Sequence, residues 1–357
     1  MILLNPGPVN LSERVRQALL RPDLCHREPE FSDLQSGIRR KLLEVYGLSP
    51  GGWTAVLLTG SGTAAVEAMV SSLVPENGKL LVIENGVYGE RISKIAEIYR
   101  MNHTRLSYLW GAAIEPAILE RKLDEMPDIT HVAVIHHETT TGRLNALGEI
   151  GRICKGRRVS LMVDGVSSFG AEALEFEEWG IDACAATANK CLHGVPGVSF
   201  VILRRDALSP ERTARRNLYL DVASYSRMQD QGGTPFTQSV QTFYALDEAL
   251  NEFRNEGGWP SRHRRYRDLS GFVREGLIRF GVKPLLPAGA SSVVLNAFCL
   301  PQGVSYAELH DRLKESGFVI YAGQGDLAKT LFRVSTMGAI CRGDMERFLS
   351  VTCQLLR

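Results

Sequence analysis

Short apolar runs alternate with stretches of helical periodicity through the middle of the chain. Strand-like runs fall near Ala55–Thr59, Leu80–Ile83, His103–Leu109, His131–His136, Ser160–Val163, Ala183–Thr187 and Val198–Leu203. Most are apolar at consecutive positions, the mark of strands buried on both faces. Helices are expected from Gly60-Ser-Gly-Thr onward, from Asn85-Gly-Val-Tyr to about Arg100, and over Pro116–Met126 and Leu147–Cys154. Such alternation predicts an α/β fold, a mostly parallel sheet covered by helices. Two helices precede it, Ser12–Leu20 and Phe31–Tyr46, the second apolar at Leu34, Ile38, Leu42, Leu43 and Tyr46.

The pattern changes towards the C-terminus. Helices are expected over Gln238–Glu256 and, rich in arginine, over Pro260–Phe280. A strand at Ser292–Phe298, a helix at Tyr306–Ser316, strands at Phe318–Tyr321 and Leu331–Ser335, and a helix at Asp344–Leu355 follow. This β-α-β-β-α order predicts a smaller α+β domain. The expected division is an N-terminal segment over 1–14, a large domain over 15–249 and a small domain over 250–357.

Composition narrows the function. With 357 residues, 44% hydrophobic and 23% charged, the chain is ample for two cores. A net charge of +1 gives no electrostatic case for nucleic acid or an anionic membrane surface. Seven cysteines without a Cys-x-x-Cys pair read as reduced thiols, which points to the cytoplasm. The start, Met-Ile-Leu-Leu-Asn-Pro, lacks a basic region and breaks at Pro6, so no signal peptide is expected. No apolar run reaches the roughly 18 residues of a membrane span.

The candidate chemistry centres on Lys190, in Ala-Thr-Ala-Asn-Lys-Cys-Leu-His-Gly-Val-Pro-Gly, a stretch poor in other charges. Burial lowers a lysine's pKa towards that of a usable nucleophile. Asp164 closes the preceding apolar strand. An acid and a lysine at the ends of neighbouring strands fit pyridoxal phosphate, lysine carrying the Schiff base and the acid pairing with the ring nitrogen. A structural Asp–Lys ion pair is the plain alternative.

Three further loops fall on the same edge, where open α/β sheets bind ligands. Thr59-Gly-Ser-Gly-Thr63 at a strand-to-helix junction makes a phosphate cradle. Tyr88 offers a ring to stack on a flat cofactor. His136-His-Glu-Thr-Thr-Thr-Gly142 suggests a metal at first sight, but adjacent strand residues point to opposite faces, so no metal is expected. Its hydroxyls suit a phenolic ring oxygen instead.

Taken with the opening Pro-Gly-Pro, the stretches Gly-Ser-Gly-Thr-Ala-Ala-Val-Glu-Ala, Asn-Gly-Val-Tyr-Gly-Glu-Arg, His-Glu-Thr-Thr-Thr-Gly, Val-Asp-Gly-Val-Ser-Ser-Phe-Gly and Ala-Asn-Lys-Cys-Leu-His-Gly-Val-Pro-Gly resemble the class V aminotransferases of fold type I. Within that family the chain is most similar to the branch that moves the amino group of 2-aminoethylphosphonate to pyruvate. The resemblance implies pyridoxal 5'-phosphate as cofactor and a homodimer with shared active sites, acting on a small amino donor and a keto-acid acceptor. It places Lys190 and Asp164 in catalysis. It assigns the phosphate to Ser61, Gly62, Thr63 and the second subunit's Thr237, the ring faces to Tyr88 and Val166, and the ring oxygen to Thr139. Arg333 matches the arginine that takes the substrate's acidic group, with Gly7 and Arg27 as further candidate donors to a phosphonate. For Arg333, in Leu-Phe-Arg-Val-Ser, the plain alternative is a structural salt bridge. Serine or alanine:glyoxylate amino transfer is the functional alternative, with a non-catalytic cofactor-binding regulatory module behind it.

Overall fold

The computed structural model of the protein describes residues 1–356. β1 (Ile2–Leu3), α1 (Glu13–Ala18) and α2 (Pro29–Glu44) come before the alternating region. That region runs β2 (Trp53–Gly60), α3 (Gly62–Leu73), β3 (Leu80–Glu84), α4 (Val87–Ile98), β4 (His103–Ser107), α5 (Pro116–Glu125) and β5 (His131–Ile135). It continues with β6 (His137–Glu138), β7 (Arg143–Leu144), α6 (Leu147–Gly156), β8 (Ser160–Asp164), β9 (Ile181–Thr187) and β10 (Gly197–Arg204).

Seven of these strands form one sheet in the order β2-β10-β9-β8-β5-β3-β4. Only β10 runs against its neighbours; the pairs from β9 through to β4 are parallel. Six strands therefore share one direction, and their C-terminal ends line one edge. The consecutive apolar positions arise because each sheet face has its own core. Leu57, Leu81, Val134, Leu161 and Phe200 pack on one side beneath residues of α2, α5, α6 and α8 (Val240–Asn255). Val56, Leu58, Val82, Met162 and Val201 pack on the other beneath α3 and α4.

α7 (Val222–Asp230) was not evident in the sequence, since only Val222, Tyr225, Ser226 and Gln229 are buried on a polar helix. Its Gln229 amide bonds both the N–H and the carbonyl of Leu57, at 3.1 and 2.7 Å. That caps the free margin of the sheet's edge strand. The two-residue hairpin β6–β7 was likewise illegible, being too short to show periodicity.

α8 spans the expected boundary at 249/250 without a break, and Leu250 and Phe253 bury into the large sheet's core. Beyond α9 (Gly258–Arg279), β11 (Leu295–Cys299), α10 (Tyr306–Glu315), β12 (Phe318–Val319), β13 (Tyr321–Ala322), β14 (Leu331–Ser335) and α11 (Arg342–Leu355) surround a separate core. The single strand expected at Phe318–Tyr321 is two, because buried Ile320 marks a change of partner. β12 pairs with β1 in parallel, and β13 with β14 antiparallel. Residues 2–4 thus join the C-terminal unit: Leu4 N–H donates to Val319 O at 2.8 Å, and Ser335 N–H to Leu4 O at 2.7 Å. No described helix is long and apolar enough to cross a membrane.

Candidate active site

Lys190 follows β9 in a tight loop. Ala188 N–H donates to Val198 O (3.0 Å), Gly194 N–H to Ala188 O (2.8 Å) and His193 N–H to Lys190 O (3.0 Å). His193 itself adopts φ +64°, a left-handed conformation rare for a residue with a side chain. Its Nε2 accepts from Gly338 N–H at 3.0 Å and pairs with the Tyr266 hydroxyl. Two distant segments therefore hold the lysine loop through one imidazole.

The Lys190 ammonium donates to the carbonyl of Pro6. Gly7, at φ +99°, lies so close that a Cβ there would sit 2.7 Å from Lys190 Nζ. The N-terminal turn is thus wrapped onto the lysine, and any side chain at position 7 would displace it. Burial lowers the Lys190 pKa to about 8, with the charges of Arg333 and Arg91 pushing the same way and those of Cys191 and Asp164 opposing. Lys190 and Asp164 form no direct ion pair among the described contacts; the lysine's hydrogen bond goes to Pro6.

Asp164 ends β8, in register with Ile135 and Ala185. It is 7% exposed, and its Oδ1 accepts from Val166 N–H at 2.9 Å. Burial raises its pKa to about 6, against the lowering effect of that hydrogen bond and of Arg91 and Lys190. A buried acid with one hydrogen bond is an uncompensated group suited to a cationic ring nitrogen.

Val166 is half-buried and abuts Gly62, where a Cβ would meet the valine's Cγ1 at 2.8 Å. Only a glycine leaves this approach open at the N-terminus of α3. Ser61, the exposed N-cap, makes no side-chain capping bond, and Thr63 takes a bond from Arg91 Nη1 at 3.2 Å. An open helix start with two hydroxyls, a half-buried aromatic ring at Tyr88, a buried acid and a lysine of lowered pKa fit the charge and chemistry of pyridoxal phosphate.

The loop over 138–141 ties this edge to the small domain. Glu138 is fully buried and accepts from Tyr88 N–H (3.2 Å), Thr140 N–H (3.0 Å) and the Thr140 hydroxyl (2.6 Å). A Cβ on Gly86 would meet Glu138 Oε2 at 2.7 Å, so the carboxylate occupies the space a side chain would need. Burial raises the Glu138 pKa to about 7, the bonds from Thr140 opposing. Its position caps the first turn of α4, which carries Tyr88.

Arg333, 3% exposed, reaches across from β14: Nη1 donates to Thr139 O and Nε to Ala322 O, both at 2.8 Å. No carboxylate pairs with it among the described residues, so the salt bridge weighed above is absent and two carbonyls hold the fork instead. Burial lowers its pKa from the ordinary value, while Tyr88 and Glu138 oppose. The remaining N–H groups have no described acceptor, and a buried guanidinium in that state favours an anion.

Lys190, Asp164, Val166, Gly62, Thr63, Tyr88, Thr139, Arg333 and Gly7 are thereby brought together. Thr237 and Arg27 are exposed and share no described hydrogen bond or ion pair with the others. His136 bonds Ser168 Oγ at 3.0 Å and His137 the Ser167 carbonyl at 3.3 Å; burial lowers both pKa values to about 4. Among the described residues, no group of His, Cys, Asp and Glu is arranged to hold a metal ion. Sequence reasoning missed Pro6, Arg91, His193 and the capping role of Glu138. Arg91 had one signal, its i+3 spacing from Tyr88 on a helix.

Such a sheet edge defines a fold type I enzyme dependent on pyridoxal phosphate. The sequence model of the family "Aminotransferase class-V" matches residues 22–346. A 2-aminoethylphosphonate–pyruvate transaminase of Syntrophobacter fumaroxidans is 38% identical over 352 residues, covering 98% of this chain and 94% of its own. Another of that name, from Vibrio cholerae, is 38% identical over 356 residues, covering 98% and 96%. Among solved structures, an alanine–glyoxylate aminotransferase from Nostoc sp. superposes with a TM-score of 0.93 at 27% identity, covering 100% of this chain and 95% of its own. The chain belongs to the class V aminotransferase family and is a pyridoxal-phosphate-dependent enzyme.

Proposed function

We propose that the protein transfers the amino group of 2-aminoethylphosphonate to pyruvate, giving phosphonoacetaldehyde and L-alanine. The observation that carries this reading is similarity along nearly the whole chain to two transaminases of that name. The buried, anion-seeking fork of Arg333 beside Lys190 supports it.

Lys190 would hold the cofactor, and its free amine would move the proton at the substrate's amine-bearing carbon. A lysine with its pKa near 8 is partly neutral at physiological pH and able to accept that proton. Asp164 pairs with the ring nitrogen and keeps it protonated. The bound cofactor supplies an electron sink for the charge left on carbon when that proton departs. Ser61, Gly62 and Thr63 hold its phosphate, Tyr88 and Val166 its two ring faces, and Thr139 its ring oxygen. Arg333 takes the phosphonate in one half-reaction and the pyruvate carboxylate in the other; of the further donors weighed above, the Gly7 N–H is engaged by Asn5 O at 2.9 Å and Arg27 is exposed away from the other site residues.

Thr237 stands exposed after Phe236, which supports its reaching the active site of a second copy in a homodimer. The small domain expected over 250–357 is supported by the separate core of α9, β11, β14 and α11, while Leu250 and Phe253 of α8 pack into the large one. Buried unpaired thiols at Cys154, Cys184 and Cys191 support a cytoplasmic setting. The structural likeness to an alanine–glyoxylate aminotransferase favours a second reading, with serine or alanine as donor and glyoxylate as acceptor. Mixing the yellow holoenzyme separately with 2-aminoethylphosphonate, serine and alanine decides between them. Fast bleaching of the visible band by 2-aminoethylphosphonate is expected, with alanine bleaching it as the reverse of the second half-reaction and serine leaving it unchanged. Bleaching by serine or alanine but not by the phosphonate would replace the first reading with the second.

A further inference from the structure

Arg91 lies one turn along α4 from Tyr88, and its guanidinium carbon is 4.5 Å from the centre of the Tyr88 ring. The same side chain crosses to α3, where Nη1 donates to Thr63 Oγ1 at 3.2 Å. That is its single described hydrogen bond, and it has no carboxylate partner among the described residues. A half-buried guanidinium resting on an aromatic face and one hydroxyl keeps most of its donors unused. Its charge reaches the chemistry, lowering the pKa of both Asp164 and Lys190.

The place it reaches lacks a full counter-charge. At the start of α3 the Ser61 side chain makes no capping bond, which leaves the first N–H groups without a side-chain partner beside the hydroxyls of Ser61 and Thr63. A helix terminus offers roughly half an elementary charge, whereas a phosphate monoester carries between one and two. Neutral donors and a partial dipole leave that charge under-compensated. A planar cation can lie on Tyr88 and still point its edge at an oxyanion, which a lysine cannot do.

We propose that Arg91 is the charged member of the phosphate cradle, donating to the cofactor's phosphate beside Thr63 while its face stays on Tyr88. The inference rests on the assignment of the α3 terminus to that phosphate. It makes the first turns of α4 one clamp, with Tyr88 for the ring and Arg91 for the phosphate.

The test compares pyridoxal 5'-phosphate with pyridoxal, which lacks the phosphate, by equilibrium dialysis against cofactor-free wild type, Arg91→Gln and Arg91→Lys. Arg91→Gln should weaken the phosphorylated ligand about tenfold to a hundredfold, the loss of one charge-assisted bond, and leave pyridoxal within about twofold. Arg91→Lys should recover part of the loss. Equal losses for both ligands would mean that Arg91 acts only through the Tyr88 ring, and overturn the proposal. Unchanged affinities with a raised KM for the amino donor would assign Arg91 to substrate and overturn it as well. If Arg91→Gln does not fold, Arg91→Lys decides: the phosphorylated ligand must still lose affinity selectively. Wild type that fails to discriminate the two ligands, or that gives no Lys190 adduct on borohydride reduction, would instead sink the underlying cofactor reading.

Discussion

Arg333→Lys separates an anion-binding arginine from a structural strut. The guanidinium spans two segments that do not otherwise meet through it, Ala322 on β13 and Thr139 beside β6, with a 2.8 Å bond to each carbonyl. An ammonium is a point donor and keeps one of the two. Losing one bond from a charged donor, with a carbonyl left buried, costs about 1.5–3 kcal/mol of stability. Melting should therefore fall by a few degrees. The same change replaces a planar fork by a single point at the substrate's acid group, another loss of about 1.5–3 kcal/mol and thus roughly tenfold to a hundredfold in KM. One anion site serves both half-reactions, so KM for 2-aminoethylphosphonate and for pyruvate should rise together. Steady-state kinetics against each substrate and a thermal melt suffice. The visible band of the bound cofactor should be unchanged, because Arg333 meets Thr139 at its backbone carbonyl and not at the hydroxyl assigned to the ring oxygen. A lowered melt with both KM values at wild type would refute the reasoning and leave Arg333 as a strut. A rise for the donor alone would mean the acceptor has its own contact.

Lys190→Ala should leave a folded protein that binds the cofactor without a covalent bond and has no transaminase activity, read by borohydride reduction and mass analysis; a reducible adduct on another active-site lysine would remove Lys190 from its role. Asp164→Asn should lower kcat by roughly 10³-fold, several kcal/mol of lost transition-state stabilisation, while near-normal turnover would separate Asp164 from the ring nitrogen. The same variant should stabilise the cofactor-free protein at neutral pH. With its folded pKa raised from 3.8 to about 6, the buried acid binds more protons folded than unfolded in that window, so wild-type stability drops as pH rises through it, by on the order of 3 kcal/mol. Melts of both proteins at pH 4 and pH 7 check this, and a gap that does not widen with pH would contradict it. Gly86→Ala should cost about 1–3 kcal/mol by driving a methyl into Glu138, and weaken cofactor affinity by shifting Tyr88; an unchanged melt and affinity would mean that the Glu138 cap has no bearing on the ring.

Much of the architecture was legible because burial on both sheet faces forces consecutive apolar residues, as in Leu80–Glu84 and Ser160–Asp164. The ends of those strands could be read too, where glycine, hydroxyl and charged residues interrupt the apolar pattern. Lys190 and Asp164 stood out for that reason, each a charge at the close of an apolar run. Elements stabilised by tertiary bonds were not legible. α7 is polar along most of its length and is held by burial and by Gln229 on the edge strand. Partners set by approach through space were equally hidden. Pro6 comes onto Lys190 from 184 residues away, Arg333 bonds a carbonyl 194 residues distant, and Arg91 meets a hydroxyl on another helix. Local sequence encodes which side chains must be buried and which backbone turns are allowed. Which polar groups then face one another depends on how the sheet order and the folded-back N-terminus bring remote segments within hydrogen-bond reach.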